Sequence, residues 1–258
     1  MRLSAPSLPF AAVALGAALA AGLARAETDS APSAAPSASA PAPSAAPSAQ
    51  PSSVKKTKYT VAAMGDSLTD AKSHGGGYLD YLRKKCPKSR FDNYGKGGQM
   101  VNQMRKRFAV DVLGEGVPDK PQYSHVIVYG GVNDLYSDLT AGRTPTKIEG
   151  DLLRMYKAAK GKSMRVVALT VSPWGGFTKY FNASRKKTTA EVNKWIAAQV
   201  AAKTVDHVVD TFPLLSCGDA DKLCPEYAKP FKDGLHFGAK GHEVLGKALH
   251  DKVFSDCE

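Results

Sequence analysis

Residues 27–53 lack aromatic residues, and they also lack valine, leucine and isoleucine. Almost every position in this stretch is Ala, Pro or Ser, as in the run APSAAPSASAPAPSAAPSAQPSS. A segment of this composition cannot bury enough apolar surface to offset the entropy that it would lose on ordering. The sequence therefore predicts a disordered linker here, which excludes these residues from the folded domain.

No long apolar run follows the linker, but one precedes it in residues 1–26. This segment has an early arginine, an apolar stretch from about residue 8 to residue 24, and the sequence Ala24-Arg25-Ala26. The layout is typical of a cleaved secretory signal peptide, and an uncleaved membrane anchor is the alternative. We therefore predict a secreted or periplasmic protein with a signal peptide at 1–26, a linker at 27–53 and one folded domain at 54–258.

Cysteines are few: the chain has Cys86, Cys217, Cys224 and Cys257. Their spacing matches no zinc-binding pattern, so we expect no metal site. In an exported chain four cysteines predict two disulfide bonds, for which three pairings are possible. Cys217 and Cys224 are close enough in sequence to close a local loop, and Cys86 with Cys257 would then join an early helix to the last one.

Acidic residues are outnumbered, with 24 Asp and Glu against 35 Lys and Arg, and the formal net charge is +11. Residues 1–53 contain two basic and two acidic residues, so the predicted domain keeps this charge. A basic domain suits an anionic substrate or a negatively charged envelope surface, although dispersed lysines also form an ordinary solvated surface. Helix-turn-helix, zinc-finger and aromatic RNA-binding signatures are absent, so we expect no nucleic-acid partner. We predict a monomer.

Strand-like and helix-like segments alternate along residues 54–258. Near-continuous Val and Ile runs, clearest in SHVIVY, are typical of strands buried on both faces of a parallel sheet. The alternation predicts an α/β fold, a three-layer α/β/α sandwich around a mostly parallel five-stranded sheet. The predicted strands cover residues 58–64, 90–94, 124–129, 165–171 and 205–209, and the predicted helices cover residues 77–86, 99–113, 146–160, 188–203 and 240–254.

Small and polar residues cluster directly after the predicted strands. The string GDSL follows the first strand, NYGKGG the second and GGVND the third, and KDGLHF comes after the fifth strand and the cysteine loop. In open α/β sheets the active crevice lies outside the carboxyl ends of the strands. The sequence therefore predicts one functional site at this edge of the sheet.

Ser67 is the candidate nucleophile at this edge. A serine hydroxyl needs a base within hydrogen-bond reach, and of the six histidines only His236 has an aspartate, Asp233, three residues earlier. The carboxylate can accept a hydrogen bond from one ring nitrogen, which leaves the other nitrogen to take the serine proton. The alternative is that Asp66 or Ser67 only caps a helix.

Attack on an ester carbonyl creates an oxyanion, which needs hydrogen-bond donors that are already in position. The backbone N–H of Ser67 at a helix N-terminus is one candidate donor. The side-chain amide of Asn133 is a second, and a backbone N–H of Gly95, Gly97 or Gly98 is a third, because glycine lets the backbone approach closely.

The strings GDSLTD, NYGKGG, GVND and DGLH resemble, in this order, the four sequence blocks of the SGNH/GDSL hydrolase superfamily of serine esterases and lipases. The resemblance spans about residues 58–249, and it implies the flavodoxin-like fold of these enzymes. It also implies roles for individual residues. The implied catalytic residues are Ser67, Asp233 and His236, and the implied oxyanion-hole donors are Ser67, Gly98 and Asn133.

The resemblance implies an ester hydrolase without a cofactor that acts on a small-molecule or polymer-borne acyl ester. Export and basic charge favour small acyl groups on a carbohydrate or an envelope polymer. The alternatives are a lipase, lysophospholipase or thioesterase for longer acyl chains, and a non-catalytic binding module for an anionic polymer. Trp174, after the fourth predicted strand, is a candidate platform for a sugar ring or acyl chain, with loop packing as its alternative.

Overall fold

The computed structural model describes residues 56–258. The predicted signal peptide at 1–26 and the predicted linker at 27–53 therefore lie outside the described residues. Within residues 56–258, no helix combines the length and the apolar character that crossing a membrane requires.

A sheet of five parallel strands forms the centre of the described structure, in the order β2-β1-β3-β4-β5. This arrangement confirms the predicted sheet. All five residues of β3 are buried, as its run of apolar residues predicts. The strands are β1 Thr60–Gly65, β2 Arg90–Gly95, β3 His125–Tyr129, β4 Arg165–Leu169 and β5 His207–Val209.

Helices cover both faces of this sheet. The helices are α1 Gly77–Lys85, α2 Val101–Asp111, α3 Val132–Tyr136, α4 Asp138–Ala141, α5 Pro145–Gly161, α6 Ala183–Ala198, α7 Thr211–Leu215, α8 Pro225–Ala228 and α9 Ala239–Leu249. Alternate residues of β1 point to opposite faces, so Ala62 and Met64 pack with α2, α5 and α6, whereas Val61 and Ala63 pack with α1 and α9. A π-helical turn, His250–Phe254, continues α9.

Two disulfide bonds join the four cysteines. Cys86, directly after α1, is bonded to Cys257 near the end of the chain. Cys217 is bonded to Cys224 and closes an antiparallel hairpin of two short strands, β6 Ser216–Cys217 and β7 Asp219–Leu223. Of the three possible pairings, this is the one in which Cys217 and Cys224 close a local loop.

Strand register brings three of the four polar clusters together. At its last residue, Gly65, β1 pairs with Gly95 of β2 on one side and with Tyr129 of β3 on the other. The segments that follow these three residues therefore begin side by side at the carboxyl edge of the sheet. This edge is where the sequence predicts the functional site.

Candidate active site

Ser67 lies in a tight turn directly after β1. The amides of Thr69 and Asp70 donate to the carbonyl oxygen of Asp66 at 3.1 and 2.9 Å, and the Asp66 side chain accepts a bond from the amide of Leu68 at 3.0 Å. Asp66 therefore caps this turn, which leaves the Ser67 hydroxyl available for other contacts. Ser67 is only 8% exposed, but it lines a surface cleft.

A continuous chain of hydrogen bonds links Ser67, His236 and Asp233. The Ser67 Oγ atom lies 2.9 Å from His236 Nε2, and His236 Nδ1 lies 2.6 Å from Asp233 Oδ2. The other carboxylate oxygen of Asp233 accepts the backbone amides of Leu235 and His236, each at 2.9 Å. The structure thus brings Ser67 into contact with a residue that lies 169 positions further along the sequence.

These contacts also set the charge of Asp233. Partial burial acts to raise the pKa of Asp233, but the hydrogen bonds from the His236 amide, the His236 ring and the Leu235 amide outweigh it, so the net pKa lies below its ordinary value. The carboxylate is therefore ionised at neutral pH. An ionised carboxylate can hold the proton on Nδ1 and leave Nε2 free to accept one.

Gly95 ends β2, Gly97 and Gly98 follow it in the next loop, and the amides of these three glycines differ in their hydrogen bonds. The Gly95 amide donates to Asn93 Oδ1 at 2.8 Å, and the Gly97 amide donates to Asp70 Oδ2 at 3.0 Å. For the Gly98 amide, the described part of the chain offers no acceptor. Gly98 has a φ of +72°, which glycine adopts without strain. Its N–H is thus available for a bound ligand.

Asn133 lies in the first turn of α3 and is almost fully buried. Its Nδ2 atom lies 2.9 Å from the carbonyl oxygen of Gln99 and 3.3 Å from Asp66 Oδ2. These contacts orient the amide, and Asn133 also lines the cleft beside Ser67. Within residues 56–258, the backbone N–H of Ser67 has no protein acceptor either.

The cleft has a volume of about 730 Å³. Its lining contains every predicted catalytic and oxyanion residue: Ser67, Gly98, Asn133, Asp233 and His236. Three aromatic residues that the sequence analysis did not single out also line it. The rings of Tyr136 and Phe177 are 5.9 Å apart, and the Phe231 ring is 5.9 Å from that of His236. Tyr136 lies three residues after Asn133, and Phe231 lies two residues before Asp233. Their closeness in sequence to the polar clusters is the signal that could have identified them as cleft residues.

Trp174 does not line this cleft, and its predicted role as a ligand platform is wrong. The side chain is fully buried, its indole N–H donates to Thr189 Oγ1 at 3.0 Å, and its ring packs against Phe181 with centroids 4.8 Å apart. Both the faces and the polar edge of the ring are therefore used inside the protein. Loop packing, the alternative reading of Trp174, is what the structure shows.

Asp66 is a wholly buried carboxyl group beside the nucleophile. Burial raises the pKa of Asp66 to about 7, the Leu68 amide opposes this rise, and the nearby charge of Asp134 adds to it. The folded protein therefore holds a proton on Asp66 in a pH range where the unfolded chain has lost it.

We expect the stability of the protein to reflect this proton. Because the pKa of Asp66 is higher in the folded state, the contribution of Asp66 to the free energy of unfolding falls as the pH rises from about 4 to 7. A shift of this size corresponds to an effect on the order of 4 kcal/mol. Urea denaturation of the wild type and of Asp66→Asn at pH 4 to 8 measures it, and the exposed Asp80→Asn is the control. Parallel curves for the wild type and Asp66→Asn would contradict the assignment.

Residues 63–244 match the GDSL-like lipase/acylhydrolase family. Similar solved structures include a GDSL-like lipase from Bacteroides thetaiotaomicron, at 21% identity, with 75% of this chain and 86% of that chain covered and a TM-score of 0.61. A lipase/acylhydrolase from Enterococcus faecalis has 20% identity, coverage of 78% and 97%, and a TM-score of 0.61. A catalytic mutant of an acetylxylan esterase from Geobacillus stearothermophilus has 17% identity, coverage of 80% and 99%, and a TM-score of 0.61. No curated protein sequence matches significantly.

Proposed function

The chain belongs to the GDSL-like lipase/acylhydrolase family, and from this premise we propose that it is an exported serine esterase that removes small acyl groups from carbohydrate or envelope-polymer esters. The observation that carries the proposal is the hydrogen-bonded chain from Ser67 through His236 to Asp233, with bonds of 2.9 and 2.6 Å. Both distances are within hydrogen-bonding range, so His236 can act as the base for the Ser67 hydroxyl while Asp233 orients the His236 ring.

The reaction begins with proton transfer from Ser67 Oγ to His236 Nε2. Oγ then forms a bond to the carbonyl carbon of the ester, and the carbonyl π electrons move onto its oxygen. The Asp233 carboxylate stabilises the imidazolium through the bond from Nδ1. The first product of this step is a tetrahedral intermediate with one negative oxygen.

Three donors bind this oxygen in the proposed mechanism: the N–H groups of Ser67 and Gly98 and the side-chain amide of Asn133. The first two are available because no acceptor in residues 56–258 occupies them. The side-chain amide of Asn133 has two hydrogens, one directed at Gln99 and one at Asp66. The contact with Asp66 is the longer, at 3.3 Å, so in the proposed mechanism the oxyanion shares this hydrogen. Donors held in place before the reaction need no reorganisation in the transition state.

Collapse of the intermediate breaks the bond to the alcohol oxygen, which takes the proton from His236 Nε2. Water then enters, gives a proton to the same nitrogen and attacks the acyl-enzyme carbonyl. The second intermediate releases the carboxylic acid and returns the proton to Ser67 Oγ, which restores the enzyme. No step requires a metal or a redox cofactor.

The lining of the cleft supports a small acyl group on a sugar-like alcohol. Polar residues, including Asp70, Ser73 and Asn133, line the cleft together with the aromatic rings, whereas long acyl chains need an extended apolar surface. Tyr136 and Phe177 are partly exposed and line the cleft, and aromatic side chains suit a sugar ring, which has both apolar faces and polar groups. A solved structure with a similar fold is of an acetylxylan esterase, and the net charge of +11 favours an anionic polymer.

Export is part of this proposal. The predicted signal peptide at residues 1–26 is the main support for it. Disulfide bonds persist in oxidising compartments, and the two in this structure are consistent with an extracellular or periplasmic protein.

A series of p-nitrophenyl esters tests the substrate class. We expect kcat/KM to be highest for the acetyl and propionyl esters and to fall about 10-fold or more towards octanoyl and palmitoyl esters, because the polar groups of the cleft interrupt the apolar surface that a long acyl chain needs. Acetylated xylan and an acetylated acidic polysaccharide, assayed by acetate release, test the alcohol portion. A rate that rises with acyl length would favour the lipid-acting alternative. If the wild type hydrolyses none of these esters but binds an anionic polymer in a salt-dependent way, the binding module is correct.

A further inference from the structure

Arg107 in α2 reaches back to the ends of the first two strands. Its Nη2 atom donates to the carbonyl oxygens of Gly65 and Tyr94, at 3.0 and 2.7 Å. These carbonyls lie at the carboxyl ends of β1 and β2, where the segments that carry Ser67 and Gly98 begin. The side chain of Arg107 is only 11% exposed, so water competes little for these bonds.

The rest of the guanidinium group is also engaged. Nε donates to Gln99 Oε1 at 2.6 Å, and Nη1 donates to Asp111 Oδ2 at 2.7 Å, one helical turn further along α2. Arg107 thus binds the segment 94–99 at both of its ends, through the carbonyl of Tyr94 and the side chain of Gln99. Only the planar, five-donor fork of arginine can reach this many acceptors at once.

Two of these acceptors, Gly65 and Gln99, lie close to proposed oxyanion donors in the sequence. Gly65 precedes Ser67 by two residues, and Gln99 directly follows Gly98. The Gln99 carbonyl in turn accepts the side-chain amide of Asn133 at 2.9 Å. We propose that Arg107 is a positioning residue that holds the three oxyanion-hole donors in a fixed mutual geometry, an inference that rests on the proposed esterase function.

The Gly98 segment has few other contacts that could do this. Lys96, Gly97 and Gly98 are exposed, and a Cβ atom built on Gly98 would meet no atom within 4 Å. Besides the bonds to Arg107, residues 96–99 are held by the Lys96 amide on the Gly65 carbonyl at 3.1 Å and by the Gly97 amide on Asp70 at 3.0 Å. The Asn133 amide on the Gln99 carbonyl, at 2.9 Å, and an ion pair between Lys96 and Asp111, at 3.8 Å, complete these contacts. Loss of Arg107 would therefore let the Gly98 N–H move relative to Ser67.

Steady-state kinetics of Arg107→Ala on p-nitrophenyl acetate test this inference. We expect kcat to fall about 10- to 100-fold, because removal of one oxyanion donor costs about 100-fold or more and here the donors are displaced rather than removed. KM is expected to change less than about three-fold. The affinity of phenylboronic acid, whose adduct with Ser67 mimics the tetrahedral intermediate, should fall in parallel with kcat.

Arg83→Ala is the matched control. Arg83 also donates from a helix to a backbone carbonyl of β2, to Phe91 at 3.1 Å, but at the opposite end of the strand. It should lower the melting temperature and leave kcat and boronic-acid affinity within about two-fold. The inference is wrong if Arg107→Ala, assayed well below its melting temperature, behaves like Arg83→Ala.

Two further variants cover the case in which Arg107→Ala does not fold. Gln99→Ala removes only the side-chain contact between Arg107 and the Gly98 segment, and Arg107→Lys keeps the charge without the fork. Both should lower kcat and boronic-acid affinity together, and unchanged values in both would refute the positioning role. Wild type and Ser67→Ala are measured in the same assay: if the wild type shows no Ser67-dependent hydrolysis, it is the proposed function that fails.

Discussion

Ser67→Ala is expected to lower the rate of ester hydrolysis about 10⁴- to 10⁶-fold, because the proposed mechanism has no other nucleophile. The change removes one oxygen atom that is bonded to His236 Nε2 at 2.9 Å and leaves the turn intact, since Asp66 caps it. We therefore expect the melting temperature to change little. Rates on p-nitrophenyl acetate and labelling by a fluorophosphonate, followed by mass spectrometry, measure the loss of activity and of the reactive hydroxyl.

Substitutions of the other two members of the hydrogen-bonded chain should also lower the rate of ester hydrolysis, by different amounts. His236→Ala removes the base and is expected to cost about as much as Ser67→Ala. Asp233→Asn should cost about 10³- to 10⁴-fold, because the imidazole remains but its tautomer is no longer held by a carboxylate. Double variants should lose little more than single ones, because the three residues act as a unit.

Ser89→Ala is the control for this series. Ser89 accepts the amide of Tyr59 at 3.0 Å, close to the amino-terminal end of β1, and it has no contact with the cleft. Its activity should equal that of the wild type. If Ser67→Ala keeps most of the wild-type rate while a labelled residue elsewhere accounts for the reaction, the assignment of the nucleophile is wrong.

The sheet could be predicted from sequence because its strands are buried on both faces. β3 consists of His125 and four apolar residues, all buried, and such a run has no other stable place in a domain of this size. β1, with Val61 to Met64 buried, is a similar case. Strand ends were then placed to within a few residues by the Gly and polar residues that follow. That precision was enough to collect the polar clusters at one edge.

Helix α6 shows where this reasoning fails. The sequence predicts its start at residue 188, but the helix begins at Ala183, with Asn182 accepting the amide of Arg185 at 3.0 Å as its N-cap. The first turns read SRKKTT and have no apolar face, so the 3.6-residue pattern starts late. The hairpin of β6 and β7 was also missed, because it is stabilised by Cys217–Cys224 rather than by an alternating apolar pattern.

Candidate site residues can be selected from sequence where chemistry restricts the choice. A nucleophile, a base and a carboxylate can be selected by type and by the three-residue spacing of Asp233 and His236. The choice among Gly95, Gly97 and Gly98 could not be made in this way, because it depends on which amides already have acceptors in Asn93 and Asp70. Likewise, the roles of aromatic residues depend on packing, which buries Trp174 and leaves Phe177 in the cleft.

Among changes outside the hydrogen-bonded chain of Ser67, His236 and Asp233, Gly234→Ala is expected to have the largest effect on activity. Gly234 follows Asp233 directly, has a φ of +72° and packs against Gly176, so that a Cβ atom at position 234 would lie 2.0 to 2.4 Å from backbone atoms of Gly176. Backbone atoms cannot rotate away, and the Gly176 loop is itself tied to β7 by the Gly175 amide on the Asp221 carbonyl at 2.7 Å. The turn that carries Asp233 and His236 must therefore move.

A displacement of this turn by about 1 Å would separate His236 Nε2 from Ser67 Oγ and should lower kcat/KM about 10²- to 10³-fold. Gly116→Ala is the control, because Gly116 also has a positive φ, +71°, but a Cβ atom there meets nothing within 4 Å. It should cost about 1 kcal/mol of stability from backbone strain and leave kcat/KM unchanged.

Gly176→Ala introduces a Cβ atom on the other side of the same contact, and it therefore separates the effect of steric overlap from that of backbone strain. A Cβ atom at position 176 would lie 2.8 Å from the Cα atom of Gly234, which is less severe, and its backbone conformation is one that alanine can adopt. Its loss of activity should therefore fall between those of Gly234→Ala and Gly116→Ala. If all three variants lose stability alike and none loses kcat/KM, then the close contact of the two glycines does not hold His236 against Ser67, and the geometry of the hydrogen-bonded chain must be maintained from elsewhere.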